Sequence, residues 1–241
     1  MQNATVRMTC VLAFVVTSLV AGCGTTKRIP VVPTVTATTP ANGATGVPIT
    51  QVITASFNEA MNATTINAST FTVAGPGGTL VGGTVTFSGT TASFTPMAAL
   101  APSTLYTATI TTGAENPRGN SLASNFVWMF TTGAIPTVIS TNPLNGARNV
   151  VISQKITATF SQAMSPTTVM AAGTFTVAVA GAGGAAVPGA VTYVAATNTA
   201  TFAPTANLLP STQYTGTIST SAQSATGNAL AANFVWSFTT G

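Results

Sequence analysis

The chain of 241 residues has room for one or two domains. Only 3% of its residues are charged, against roughly 25% in an ordinary soluble domain, while 46% are hydrophobic, which excludes disorder driven by charge. There is no His and no Asp, so a His-based triad or metal cluster is excluded, and the net charge of +4 comes from Arg7, Lys27, Arg28, Arg118, Arg148 and Lys155 against Glu59 and Glu115. Nucleic acid is excluded as a partner, because phosphate binding needs clustered Lys and Arg and these are scattered.

The N-terminus reads as an address. "MQNATVRM" carries one Arg and no acid, and "TCVLAFVVTSLVAG" follows as an uncharged, mostly apolar run. It is shorter than the about 20 residues of a membrane-spanning helix and fits the hydrophobic region of a secretory signal peptide over 1–22. It ends in "LVAGC", where Val20, Ala21 and Gly22 precede Cys23. This resembles the lipobox of bacterial lipoproteins. The resemblance implies that the Cys23 thiol carries diacylglycerol, that the chain is cut before it and that the new N-terminus is acylated. A plain signal peptide with an incidental Cys is the alternative. Gly24 in place of Asp implies, by that family's sorting rule, the outer membrane. Cys10 lies within the signal, leaving one Cys and no intrachain disulfide. At about 0.8 kcal/mol per buried methylene, two or three acyl chains would anchor the protein durably. Residues 23–32 then form a Pro-stiffened tether.

After the tether the sequence repeats itself, the observation that decides the architecture. "VPTVTATTPANGATGVPITQVITASF" answers "IPTVISTNPLNGARNVVISQKITATF", and "NFVWMFTTG", ending at Gly133, answers "NFVWSFTTG", ending at Gly241. Length differences fall in Gly/Ala-rich turns such as "AGAGGAAVPG", which a strand framework tolerates. The expected domains are 33–133 and 134–241, joined by Gly133-Ala134-Ile135-Pro136, whose brevity and Pro favour a semi-rigid rod.

Within each copy the apolar residues alternate. "ITASF" sets Ile53, Ala55 and Phe57 on one face, "LYTATI" sets Tyr106, Ala108 and Ile110 together, and "FVWMF" does so for Phe126, Trp128 and Phe130. Alternation between Gly/Pro/Asn turns predicts half-buried antiparallel strands, about seven per copy of roughly 100 residues. The fold class is all-β: two tandem immunoglobulin-like antiparallel β-sandwiches preceded by a signal peptide. Phe57, Tyr106, Trp128, Phe130, Phe160, Tyr214, Trp236 and Phe238 are the expected core. Tyr106 and Tyr214, each preceded by "P-S-T-x", resemble the tyrosine corner, in which a phenol bonds back to nearby backbone.

The ordered motifs "P-x-V-x-x-x-x-P-x-x-G-A-x-x-V", "I-T-A-x-F-x-x-A-M", "T-F-T-V", "A-T-F-x-P", "L-x-P-S-T-x-Y" and "G-N-x-L-A-x-N-F-V-W-x-F-T-T-G" occur twice over 32–241. They resemble the bacterial Ig-like domain of the SbsA type. The resemblance implies a β-sandwich, an extracellular setting and a scaffold or interaction role, with no active site. Family members often carry acids where this chain reads "FNEAMN", "FSQAMS", "AENPRGN" and "AQSATGN", so a calcium role, which wants charged oxygens, is not expected to carry over.

No cofactor or metal is expected. Glu59 and Glu115 are the only carboxylate pair available for glycoside hydrolysis, and their counterparts in the second copy are Gln162 and Gln223. Solvated surface residues are the simpler reading, and the chain is not expected to be an enzyme. The expected function is a non-enzymatic, lipid-anchored cell-envelope module, structural or adhesive. Its partners are the membrane, through the anchor, and other surface proteins or polysaccharide. The alternative is a carbohydrate- or ice-binding surface module. The first would need exposed aromatics. The second would use the outward Thr rows of "TVTATT", "TATITT" and "TISTS", which sheet twist takes out of plane.

Overall fold

The computed structural model describes residues 32–181 and 183–241; the signal segment, Cys23 and the rest of the tether up to residue 31 lie outside the described residues. Short alternating runs become strands. The first copy forms β1 (Val35–Thr39), β2 (Ala44–Val47), β3 (Ile53–Phe57), β4 (Phe71–Ala74), β5 (Gly83–Ser88), β6 (Thr91–Pro96), β7 (Leu105–Ile110) and β8 (Phe126–Thr132). The second repeats them as β9 (Val138–Asn142), β10 (Ala147–Val150), β11 (Ile156–Phe160), β12 (Phe175–Val179), β13 (Gly189–Val194), β14 (Thr199–Pro204), β15 (Gln213–Ile218) and β16 (Phe234–Thr240). One helical turn, α1 (Pro166–Val169), follows β11.

Each copy is two four-stranded sheets, ordered β1-β3-β6-β5 with β2-β8-β7-β4, and β9-β11-β14-β13 with β10-β16-β15-β12. The stretch that opens each copy forms two strands, which gives eight per copy where about seven were expected. After β1 pairs antiparallel with β3, the Pro40–Gly43 turn carries the chain to the opposite sheet, where β2 runs parallel to β8. Pro40 cannot donate to the β1 ladder and Gly43 takes a positive φ of 77°, so the strand breaks there. Pro143 and Gly146 repeat the break, and β10 runs parallel to β16.

The inward residues of each pair of sheets make two separate cores. Ile53, Ala55 and Phe57 are buried in β3, as are Ile156, Ala158 and Phe160 in β11. Trp128 and Trp236 are 1% and 2% exposed. Trp128 lies against Phe71 and Phe126 at ring-centroid distances of 5.8 and 5.7 Å, and Trp236 against Phe175 and Phe234 at 5.8 Å each. Both indole N–H groups are buried without a hydrogen-bond partner among the described residues. Burying such a ring removes about 150–250 Å² from water, roughly 4–6 kcal/mol at 25 cal/mol per Å². That outweighs the about 1–3 kcal/mol cost of an unpaired donor.

Tyr106 stacks on Phe130 and Tyr214 on Phe238, both with centroids 5.8 Å apart. Each phenol oxygen accepts a backbone N–H at 2.8 Å, from Ala101 and Leu209 respectively. Thr132 and Thr240 close the same corner from the last strand, their hydroxyls donating to the carbonyls of Ala101 and Leu209 at 2.6 Å. The second Thr of the repeated "FTTG" thus ties the final strand to the tyrosine loop.

Candidate functional site

The joint between the two sandwiches brings together polar groups that lie far apart in the sequence. Gly133 extends β8, its N–H donating to the Val47 carbonyl at 2.8 Å, and Gly133 and Pro136 are buried. The loop between β15 and β16 reaches the first domain here: the Ile49 N–H donates to Asn228 Oδ1 at 2.9 Å. Asn228 is 1% exposed, and its own N–H donates to Ser224 Oγ at 3.0 Å, which fixes the loop that presents it. Two glycines leave room for this contact. A Cβ on Gly133 would stand 2.5 Å from Asn228 Nδ2, and one on Gly46 2.9 Å from Thr226 Cγ2. Gln162 adds a bond from the second domain to the linker, its Nε2 donating to the Ala134 carbonyl at 3.1 Å.

Glu59 and Glu115 lie in loops that the fold brings together at the other end of the first domain. The Asn62 N–H donates to the Glu115 carbonyl at 2.7 Å, and the Glu115 N–H donates to Thr65 Oγ1 at 3.1 Å. Glu59 Oε1 accepts from Asn116 Nδ2 at 3.2 Å. The second domain makes the same backbone bonds with uncharged residues. The Ser165 N–H donates to the Gln223 carbonyl at 2.9 Å, and the Gln223 N–H to Thr168 Oγ1 at 3.1 Å. These loops therefore hold their shape without a carboxylate. Among the described residues no three His, Cys, Asp or Glu side chains gather where a metal ion could sit.

The outer faces of the β1-β3-β6-β5 and β9-β11-β14-β13 sheets carry hydroxyls in register. Thr54, Ser93 and Thr86 form one row and Thr157, Thr201 and Thr192 another. Some hydroxyls bond each other across strands, Ser56 to Thr91 and Thr159 to Thr199 at 3.1 Å. Among the described residues every aromatic side chain is buried or half-buried. The stacking platform that a carbohydrate-binding module uses is not on these faces.

The profile of the bacterial Ig-like domain matches residues 30–132 and again 134–240. The chain belongs to this family. No curated protein matches it. Among solved structures, this bacterial Ig-like protein is similar to the methionine-rich copper resistance protein PcoC of Escherichia coli, with 18% identity and a TM-score of 0.37 over 45% of this chain and 100% of that one. It is similar also to the N-terminal part of the bacterial S-layer protein SbsC, with 15% identity and a TM-score of 0.36 over 86% of this chain and 44% of that one. L,D-transpeptidase 1 of Mycobacterium tuberculosis follows at 15% identity and a TM-score of 0.30, over 61% and 60% of the two chains. The chain thus spans less than half of the SbsC fragment it matches. Among the described residues no helix is long and apolar enough to cross a membrane.

The eight core residues named from the sequence are all buried: Phe57, Tyr106, Trp128 and Phe130 in the first domain, Phe160, Tyr214, Trp236 and Phe238 in the second. Cys23 lies outside the described residues. Sequence reasoning missed Asn228 and the glycines beneath it. The signal available was the "G-N" pair kept in both copies, Gly119-Asn120 and Gly227-Asn228, which reads as an ordinary turn until a second domain is placed against it.

Proposed function

We propose that this protein is a non-enzymatic, lipid-anchored component of the cell envelope, held at the outer membrane through Cys23. Its two Ig-like domains act as a spacer and an interaction module. The observation that carries the reading is the joint: a buried Asn228 bonded across it, with two glycines clearing the way, fits a device that holds one sandwich on the other. Membership in a family of bacterial Ig-like domains supports an envelope setting. The partners proposed are the membrane, through acyl chains on Cys23, and other surface proteins or polysaccharide met by uncharged sheet faces.

Metabolic labelling with a radioactive fatty acid, on the full chain and on Cys23→Ala, tests the anchor. Label on the first and none on the second is expected, with the unmodified chain sedimenting with outer membrane; absence of label on the unmodified chain refutes it. A glycan and whole-cell binding screen with the same preparation tests the interaction role.

A further inference from the structure

A sheet edge exposes unpaired backbone groups, and natural proteins guard such edges with short strands, bulges, Pro, charges or a covering segment. Three of the first domain's four edges are guarded. β1 has a register break between Val35 and Ala37, and β2 is four residues long with a break of its own. β4 is covered by the segment after it, where the Val81 N–H donates to the Val73 carbonyl at 2.8 Å.

Among the described residues β5 pairs with no strand on its far side. Its six residues, Gly-Thr-Val-Thr-Phe-Ser, pair with β6 in unbroken register and include no charge and no Pro.

The polarity of the free edge follows from the register. The Met97 N–H donates to the Gly82 carbonyl at 2.9 Å, and bonded pairs alternate along an antiparallel ladder. Thr84, Thr86 and Ser88 therefore bond to β6, and the N–H and C=O groups of Gly83, Val85 and Phe87 point away from the sheet. The side chains of Val85 and Phe87 belong to the inner layer, yet both are only half-buried, and among the described residues no strand lies beyond them.

We infer that β5 pairs antiparallel with β5 of a second copy of this chain, about a two-fold axis at Val85. In that register Val85 faces Val85 and Phe87 faces Gly83 of the second copy, and every facing pair that must exchange hydrogen bonds consists of residues whose groups are free. Thr84 stands opposite Thr86 of the second copy on the outer face, with no like charges to oppose. Gly83 offers no side chain to obstruct the incoming Phe87, and the Phe94 ring, 2.3 Å from where a Gly83 Cβ would be, provides an aromatic surface for it. The paired strands run in opposite directions, so the two copies' N-terminal segments leave from opposite ends of the pair. The pairing itself does not depend on the anchor.

Sedimentation equilibrium of the full chain in density-matched detergent tests it. Reversible dimers are expected. Thr84→Lys with Thr86→Lys, both at exposed positions, sets Lys against Lys twice in the pair and should weaken dimerisation roughly tenfold. Thr84→Lys with Thr86→Glu sets opposite charges in the same places and should restore it, with a salt-dependent dimer constant. Tryptophan fluorescence checks that each variant is folded. A monomer at all concentrations overturns the inference, and so does a dimer that neither pair of substitutions alters.

Discussion

Replacing Asn228 by Ala removes a side chain whose bond at Oδ1 runs to the other domain, while the backbone bonds that shape its own loop remain. The loss is one hydrogen bond, about 0.5–1.5 kcal/mol net, together with a half-buried Ile49 N–H left without its acceptor, offset in part by removal of Asn228 Nδ2, which is buried without a partner among the described residues. A weakening of about 1–2 kcal/mol in the coupling between the domains is expected. For a urea slope of about 1.5 kcal/mol per M, that moves a midpoint by about 1 M. Each domain has one Trp in its core, so a chain labelled with 5-fluorotryptophan gives one fluorine resonance per domain. In the unmodified chain both resonances should be lost together as urea rises. In Asn228→Ala the less stable domain should unfold first, by about that interval. Gly133→Ala should act in the same direction, since its Cβ would stand 2.5 Å from Asn228 Nδ2. Unchanged midpoints for both resonances in both variants would refute the claim that the joint couples the domains.

Trp128→Ala and Trp236→Ala each empty a fully enclosed site and should cost about 3–5 kcal/mol in urea unfolding followed by circular dichroism; a near-neutral result would mean the closing strand does not organise the core. Tyr106→Phe and Tyr214→Phe keep the ring stacks but leave the N–H of Ala101 or Leu209 without its acceptor. Calorimetry should show about 1–2 kcal/mol lost in each case, and no change in melting temperature would show that water replaces the phenol at no cost.

Much of the sandwich was legible because a strand that buries one face writes a period of two into the chain. "ITASF" and "FVWMF" need nothing beyond their own alternation to be placed. The division of the first strand was not legible. Alternation says which face a residue takes, not which sheet its strand joins, and the path across the sandwich is decided by the pairing of β2 with β8, far away in sequence. α1 is a single turn, too short for a helical period to register. The joint was invisible for another reason: Asn228 and Gly46 gain their meaning only against each other, and each alone is a common turn residue. For Glu59 and Glu115 the sequence supplied the useful comparison, since Gln162 and Gln223 hold the same loop positions with neutral side chains.

The sheet-switching first strand also bears on how the protein answers a pull. β2 and β8 run side by side in the same direction, and the chain enters β2 from one end of the sandwich and leaves β8 at the other. Tension between Val35 and Thr132 therefore drags the two strands lengthwise past each other, loading their cross-bonds all at once instead of opening them in turn like a zip. The second copy repeats this with β10 and β16. Optical-trap stretching should therefore give two abrupt ruptures, one for each domain, and a gradual extension at low force would contradict this geometry.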